Sequence, residues 1–276
     1  MKVREVVNRM IKKTGVGPLP PEKTCDKLMS GSFEQEVSKI AVTFMATVDV
    51  IKKAIAMGAE LIITHEPTWF TGEDTTDWLD NDPVYLKKKE LIEQADIAIW
   101  RFHDHMHMDP VDGIMRGFDE EMGWHQYRME PDSSFLGGKG DYCYQLPTTT
   151  LQELCNSFKE RLPMNVIQII GDPDMKVERV GVLPGGASLG LFSEYHPMQL
   201  MYNRELDVLV CGEIVEWRLP AYVRDACQLG IPKAILVLGH ERSEEPGMKH
   251  LGDWMQDIMD GIPVIFIDSE EPFTYL

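Results

Sequence analysis

Apolar residues fall first at helical spacing: Val3, Val6, Val7, Met10 and Ile11 mark one face of an amphipathic helix over residues 3–13, which Gly15 ends. The pattern then changes. Residues 39–45 (KIAVTFM) form a strand-like apolar run, 49–58 a helix with Val50, Ile51, Ala54 and Ile55 on one face, and 60–64 (ELIIT) a second strand. Strand, helix and strand in that order predict a βαβ unit with parallel, buried strands. A helix over 83–95 and a strand over 96–102 (DIAIWRF) extend it. Residues 104–142 read as irregular, rich in Asp, Gly and Met, with Gly137, Gly138 and Gly140 marking a loop.

A second set of alternations follows. It contains a helix over 148–162 with a Thr cap, strands over 165–170, 177–183 and 206–210, a helix over 217–229 and a strand over 233–238. A helix over 248–259, whose Met248, Met255 and Met259 suit core packing, and a last strand over 263–267 close the chain. Strands alternating with helices throughout predict an α/β protein of two similar α/β domains, with helices packed on mixed, mainly parallel sheets. The boundaries read as 1–125 and 126–276.

Composition narrows the field. The chain has 276 residues, 43% of them hydrophobic, enough for real cores and against a disordered or fibrous class. Its 45 acidic residues outnumber 27 basic ones, a formal net charge of −18. Such a surface repels phosphate backbones and anionic lipid, so neither nucleic acid nor membrane is an expected partner, while divalent cations are welcome. The five cysteines (25, 143, 155, 211 and 227) lie far apart without a CxxC pair, which speaks against a disulfide framework or a zinc ribbon. No signal-peptide pattern opens the sequence, and the expected location is cytoplasmic.

Functional groups in open α/β sheets gather beyond the C-terminal ends of strands. Three such ends carry ligand chemistry here: Thr64-His65-Glu66-Pro67, His103-Asp104-His105-Met106-His107-Met108-Asp109, and Gly239-His240-Glu241-Arg242-Ser243-Glu244-Glu245. Five of the eight histidines fall in them, so their placement is not even along the chain. Imidazole with carboxylate suits Zn, Mn, Fe, Co or Ni. One histidine after a strand is as readily a hydrogen-bonded structural residue, and a surface tract is the lesser alternative for HDHMH. Three ends together point to a cation.

These segments resemble the GTP cyclohydrolase 1 type 2 family, also called the NGG-interacting-factor-three-like proteins. EQEVSKIAVTFMATVDVIKKAIAMGAELIITHEPTWF is similar to the family's opening unit, which ends in IITHHP, and GGKGDYCYQLPTTTLQELCNSFKERL to its GLGRIGELP segment and helix. GDPDMKVERVGVLPGGAS resembles the strand and GG loop, CGEIVEW the GExSE segment, and GHERSEEPG the GHxxSE motif. The resemblance implies two α/β domains facing a cleft with a dinuclear metal site, and assembly as a homohexamer. It carries metal ligation to His65, His103, His240 and Glu244. Two positions depart from the pattern: Glu66 stands where a second histidine is usual, and His107 where an aspartate bridges the metals. Glu66 and His107 are then expected to ligate in exchanged roles, with Asp104 and Asp109 as alternative oxygen donors and a single-metal site as the alternative to two ions.

Two divalent ions acidify water and clamp attacking and leaving oxygens, so hydrolysis is the expected chemistry. The resemblance implies a nucleotide or related heterocycle as small-molecule substrate. A non-catalytic metal-binding regulator or metal carrier is the alternative. Glu216 is the candidate general base or orienting carboxylate, with Glu213 behind it; either also reads as a solvated carboxylate at a helix start. The Pro184-Gly185-Gly186 turn reads as a tight strand exit, or as a place where amides approach an anion. Trp69, Phe70 and Trp78 are either packing residues or a stacking surface for a heterocyclic base.

Overall fold

The computed structural model describes residues 1–132, 141–191 and 193–276; the loop marked by Gly137, Gly138 and Gly140 lies outside the described residues. In chain order the first elements are α1 (Val3–Thr14), β1 (Leu28–Ser30), β2 (Ile40–Thr43), α2 (Val48–Ala56), β3 (Leu61–Thr64), α3 (Pro83–Ala95), β4 (Ala98–Arg101), α4 (Asp104–Met108) and α5 (Gly113–Met122). Then come β5 (Cys143–Thr150), α6 (Leu151–Arg161), β6 (Gln168–Ile170), β7 (Lys176–Leu183), α7 (His196–Asn203), β8 (Val208–Cys211) and α8 (Leu219–Gln228). The last are β9 (Ala234–Val237), α9 (His240–Lys249), α10 (Leu251–Met255) and β10 (Val264–Phe266). Two compact units result, Met1–Gly117 with Glu245–Glu270, and Phe118–Glu244 with Glu271–Leu276.

The sheet of the first unit runs β1-β4-β3-β2-β10, parallel except for the antiparallel edge strand β1. Its central strands are buried on both faces, as the unbroken apolar runs IAV and LII require. Alternation sorts the side chains. Ile40, Val42, Leu61, Ile63 and Trp100 pack with the α1 stripe and with Met248, Leu251 and Met255. Ala41, Ile62 and Ile99 pack instead with Val50, Ile51 and Ala54 of α2 and with Ile92 of α3. In register, Thr43 lies beside Thr64, and Thr64 beside Arg101, so β2, β3 and β4 end together and release their following residues from one sheet edge.

The second sheet runs β5-β7-β8-β9-β6, with parallel β7, β8 and β9 flanked by antiparallel edges. Leu183, Cys211 and Val237 align across it. Thr150 is the cap of α6: its hydroxyl accepts from the Glu153 N–H (3.1 Å), and the Glu153 carboxylate accepts from the Thr150 N–H (3.0 Å).

Several elements depart from the sequence expectation. Residues 104–142 are not irregular throughout, because α4 and α5 lie there. α5 is started by Asp112, whose Oδ1 accepts from Ile114 N (2.9 Å), and its Ile114, Met115, Phe118 and Met122 are buried. Gly113 and the short polar lead-in hide this helix from periodicity. β10 follows all the strands of the second sheet in the chain yet pairs with β2 of the first. α9 begins at His240, ahead of the Met-rich stretch. Within the first unit, a Cβ at Gly247 would lie 2.6 Å from Ile114 Cα, so α5 and the end of α9 meet backbone to backbone. Among the described residues, no helix is long and apolar enough to cross a membrane.

Candidate metal centre

His65 leaves β3 with its N–H, like that of Glu66, donated to Phe44 O (3.1 and 2.9 Å). Phe102 N donates to Thr64 O (2.8 Å), which carries the chain from β4 past His65 into His103. A helical turn then brings His107 back over His103. The three rings converge: centroids are 4.5 Å apart for His65–His103, 4.7 Å for His103–His107 and 5.0 Å for His65–His107. Each offers a ring nitrogen within 4.8 Å of the others, and His65 is fully buried.

Each ring is also oriented by an oxygen on Nδ1. His65 meets Phe102 O (3.2 Å), His103 meets Asp104 Oδ1 (2.9 Å) and His107 meets Asp112 Oδ2 (2.9 Å). Donation from Nδ1 fixes the tautomer and puts the lone pair on Nε2, the arrangement found behind metal-bound imidazoles. This donor set fits a borderline divalent cation. Glu66 stands beside it, with Oε1 3.8 Å from His103 Nε2 and Oε2 3.5 Å from Arg101 Nη2.

Behind the three imidazoles lie Arg101 and Asp26, which the sequence did not single out. Arg101, 3% exposed, donates to His65 O (3.1 Å) and Gly72 O (2.6 Å) and pairs with Asp74 as well as Glu66. Asp26 accepts from the backbone N–H groups of His103 (2.7 Å), Asp104 (2.7 Å) and His105 (3.0 Å), and from His105 Nδ1 (2.6 Å). His105 Nε2 donates to Gly17 O (3.0 Å), so both its nitrogens carry protons. Burial works against that charge, but the Asp26 carboxylate outweighs it and the His105 pKa is raised. His105 is thus a buried imidazolium that braces α4. Asp104 is desolvated, which would raise its pKa, yet bonds from His103, the Cys25 N–H and Thr24 hold it below its ordinary value. Burial pushes the Cys25 thiol up to about 12. Asp109 pairs with Arg116 (3.4 Å).

In the second unit, ligand chemistry again follows the strand ends. His240 opens α9, with Nδ1 2.9 Å from Glu213 Oε1 and Nε2 3.0 Å from Glu244 Oε2 one turn on. The orienting carboxylate is therefore Glu213, which follows Cys211-Gly212 directly, whereas Glu216 is exposed further along the turn. Gly185 N donates to Ser243 Oγ (2.9 Å), and its left-handed φ of 49° lets the backbone pass close to the pair. A Cβ there would collide with Glu244 Oε1 and lie 2.6 Å from His240 Nε2.

Of the aromatics after His65, Trp69 packs against Tyr85 with centroids 5.0 Å apart, while Phe70 and Trp78 are exposed. Lys88, 5% exposed, donates to Thr68 O (2.7 Å) near both the Trp69 and Phe70 rings. Burial lowers its pKa to about 8, with Asp74 opposing the shift. Between that value and the ordinary 10.5, the unfolded chain holds the proton that the folded chain has lost. Stability relative to Lys88→Met is accordingly expected to increase across this window by up to about 3 kcal/mol. Urea midpoints at several pH values measure it, and a flat difference would count against the buried amine.

An α/β protein that presents oriented imidazoles and carboxylates at its strand ends, able to hold a cation, is the class that fold and site define. The family model described as Duf34/NIF3 (NGG1p interacting factor 3) matches residues 2–272, and the chain belongs to this family. A curated relative from Clostridium perfringens (strain 13 / Type A), named "GTP cyclohydrolase 1 type 2 homolog", is 24% identical over all of both chains. A solved Staphylococcus aureus hypothetical protein is similar at TM-score 0.72 and 19% identity, covering 100% of this chain and 99% of that one. A Bacillus cereus protein related to NIF3 gives 0.73 at 16% identity with the same coverage, 100% and 99%. At these identities the structures show the fold.

Proposed function

We propose that this protein is a metal-dependent hydrolase that binds two divalent cations and acts on a nucleotide or related heterocycle. The observation that carries the reading is the His65, His103 and His107 group, three rings each oriented through Nδ1 by an oxygen. A second cation is assigned to His240 and Glu244, which Glu213 and Gly185 support. The substrate class rests on the family resemblance and on the name of the Clostridium relative.

His65, His103 and His107 would hold a divalent cation, which when bound would supply Lewis acidity and acidify water toward a pKa of ~7. The residues do the rest. Phe102 O, Asp104 and Asp112 hold the three imidazoles in the ligating tautomer. Arg101 holds Glu66 turned so that Oε1 faces His103, where a carboxylate could accept the proton of a water. The exposed Phe70 offers an apolar ring face close to this sheet edge in sequence, suited to a flat base.

Metal-stripped protein is expected to lose turnover on nucleotides and phosphoesters and regain it on reloading. His107→Ala should weaken metal binding more than about 100-fold, since removing even an orienting partner costs 10–100-fold. Metal analysis and a substrate screen test both. Stoichiometric metal without turnover on any substrate would favour the metal-carrier alternative, and unchanged affinity in His107→Ala would remove His107 from the ligands.

A further inference from the structure

His103 belongs to two donor groups. Its ring faces His65 and His107, while its Nδ1 lies 2.9 Å from Asp104 Oδ1. Beside this pair stands Cys25: its Sγ, a nitrogen of His103 and an oxygen of Asp104 all lie within 4.8 Å of one another. Cys25 is distant in sequence but firmly held. Its N–H donates to Asp104 Oδ2 (2.9 Å), and the adjacent Asp26 gathers the backbone N–H groups of His103, Asp104 and His105. It is also partly exposed, whereas Cys143, Cys155 and Cys211 are buried.

We propose that Cys25, His103 and Asp104 form a further cation site, with His103 bridging it to the three-histidine group. Thiolate, imidazole and carboxylate together select a thiophilic borderline ion such as Zn²⁺ or Co²⁺ over Mg²⁺ or Mn²⁺. Entry of the ion displaces the Cys25 thiol proton and the His103 Nδ1 proton to solvent, and no oxidation state changes. Two divalent charges then face a thiolate, a carboxylate and a bridging imidazolate, leaving the pair of ions nearly neutralised. The bridge rests on the metal reading of His103 above, while the Cys25 ligand has its own signature.

Titration of the metal-stripped full chain with Co²⁺, followed by absorption, tests the proposal. The expected result is a thiolate-to-cobalt charge-transfer absorption in the near ultraviolet, beside the visible bands of the histidine-bound ion. Cys25→Ser keeps the backbone bond to Asp104, and should abolish the charge-transfer absorption and remove one equivalent of cobalt while preserving the visible bands. Asp104→Asn should weaken the thiolate-linked binding at least tenfold, and Cys227→Ser should change nothing. Absence of the charge-transfer absorption in the wild type, its survival in Cys25→Ser, or its loss in Cys227→Ser would overturn the site. Cobalt bound with visible bands alone sinks this site and leaves the hydrolase reading standing; no cobalt bound at all sinks both.

Discussion

Asp26→Ala is expected to destabilise the protein by about 3–5 kcal/mol, the range for removing one partner of a buried ion pair. The carboxylate is almost wholly buried, 1% exposed, against His105 at 2%. Its removal strands the His105 imidazolium and three backbone N–H groups at the start of α4. Asp26→Asn should fall between, because the amide oxygen still accepts from His103 and Asp104 but the amide nitrogen cannot accept from His105. Since the same bonds set the backbone of His103, metal affinity should fall together with stability. Urea unfolding and metal titration measure the two, and a stability loss below about 1 kcal/mol would show that water replaces the carboxylate.

Gly185→Ala should have the second largest effect. At φ 49° a side chain is strained, and its Cβ would displace Glu244 Oε1 and press on His240 Nε2. The expected outcome is a loss of about 1–3 kcal/mol of stability together with the cation assigned to His240 and Glu244. A variant with normal stability and metal content would mean that the Pro184-Gly185-Gly186 turn is merely a strand exit.

The parts of this molecule that were legible in sequence are those dictated by local periodicity. IAV, LII and AIW read as buried strands and form β2, β3 and β4, and the residues after them lie at one sheet edge, where ligand chemistry was sought. The helix expected over 148–162 with a Thr cap is α6, and Thr150 is its cap. What stayed hidden depends on distance along the chain. Nothing around Cys25 or Asp26 signals that they meet residues 103–105, because an isolated Asp in a polar turn looks like any solvated carboxylate. Arg101 ends a strand read as apolar, and its burial is tolerable only because His65 O, Gly72 O, Asp74 and Glu66 surround it. Asp112 lies five residues after His107 in a segment whose Asp, Gly and Met content shows no helical period. β1 is three residues long and β5 contains Pro147, so neither offered a period to detect.

The return of the chain to pair β10 with β2 has a consequence for biosynthesis. All strands of the second sheet lie within residues 143–237, so that sheet can close while the final segment is still being made. The first sheet begins earlier but must wait for Val264–Phe266, and its core waits for Met248, Leu251, Met255 and Met259. Completion therefore runs in the reverse of synthesis. A nascent or truncated chain ending before residue 264 exposes the edge of β2 and an unfilled apolar face, which makes that interval the one in which a chaperone matters most.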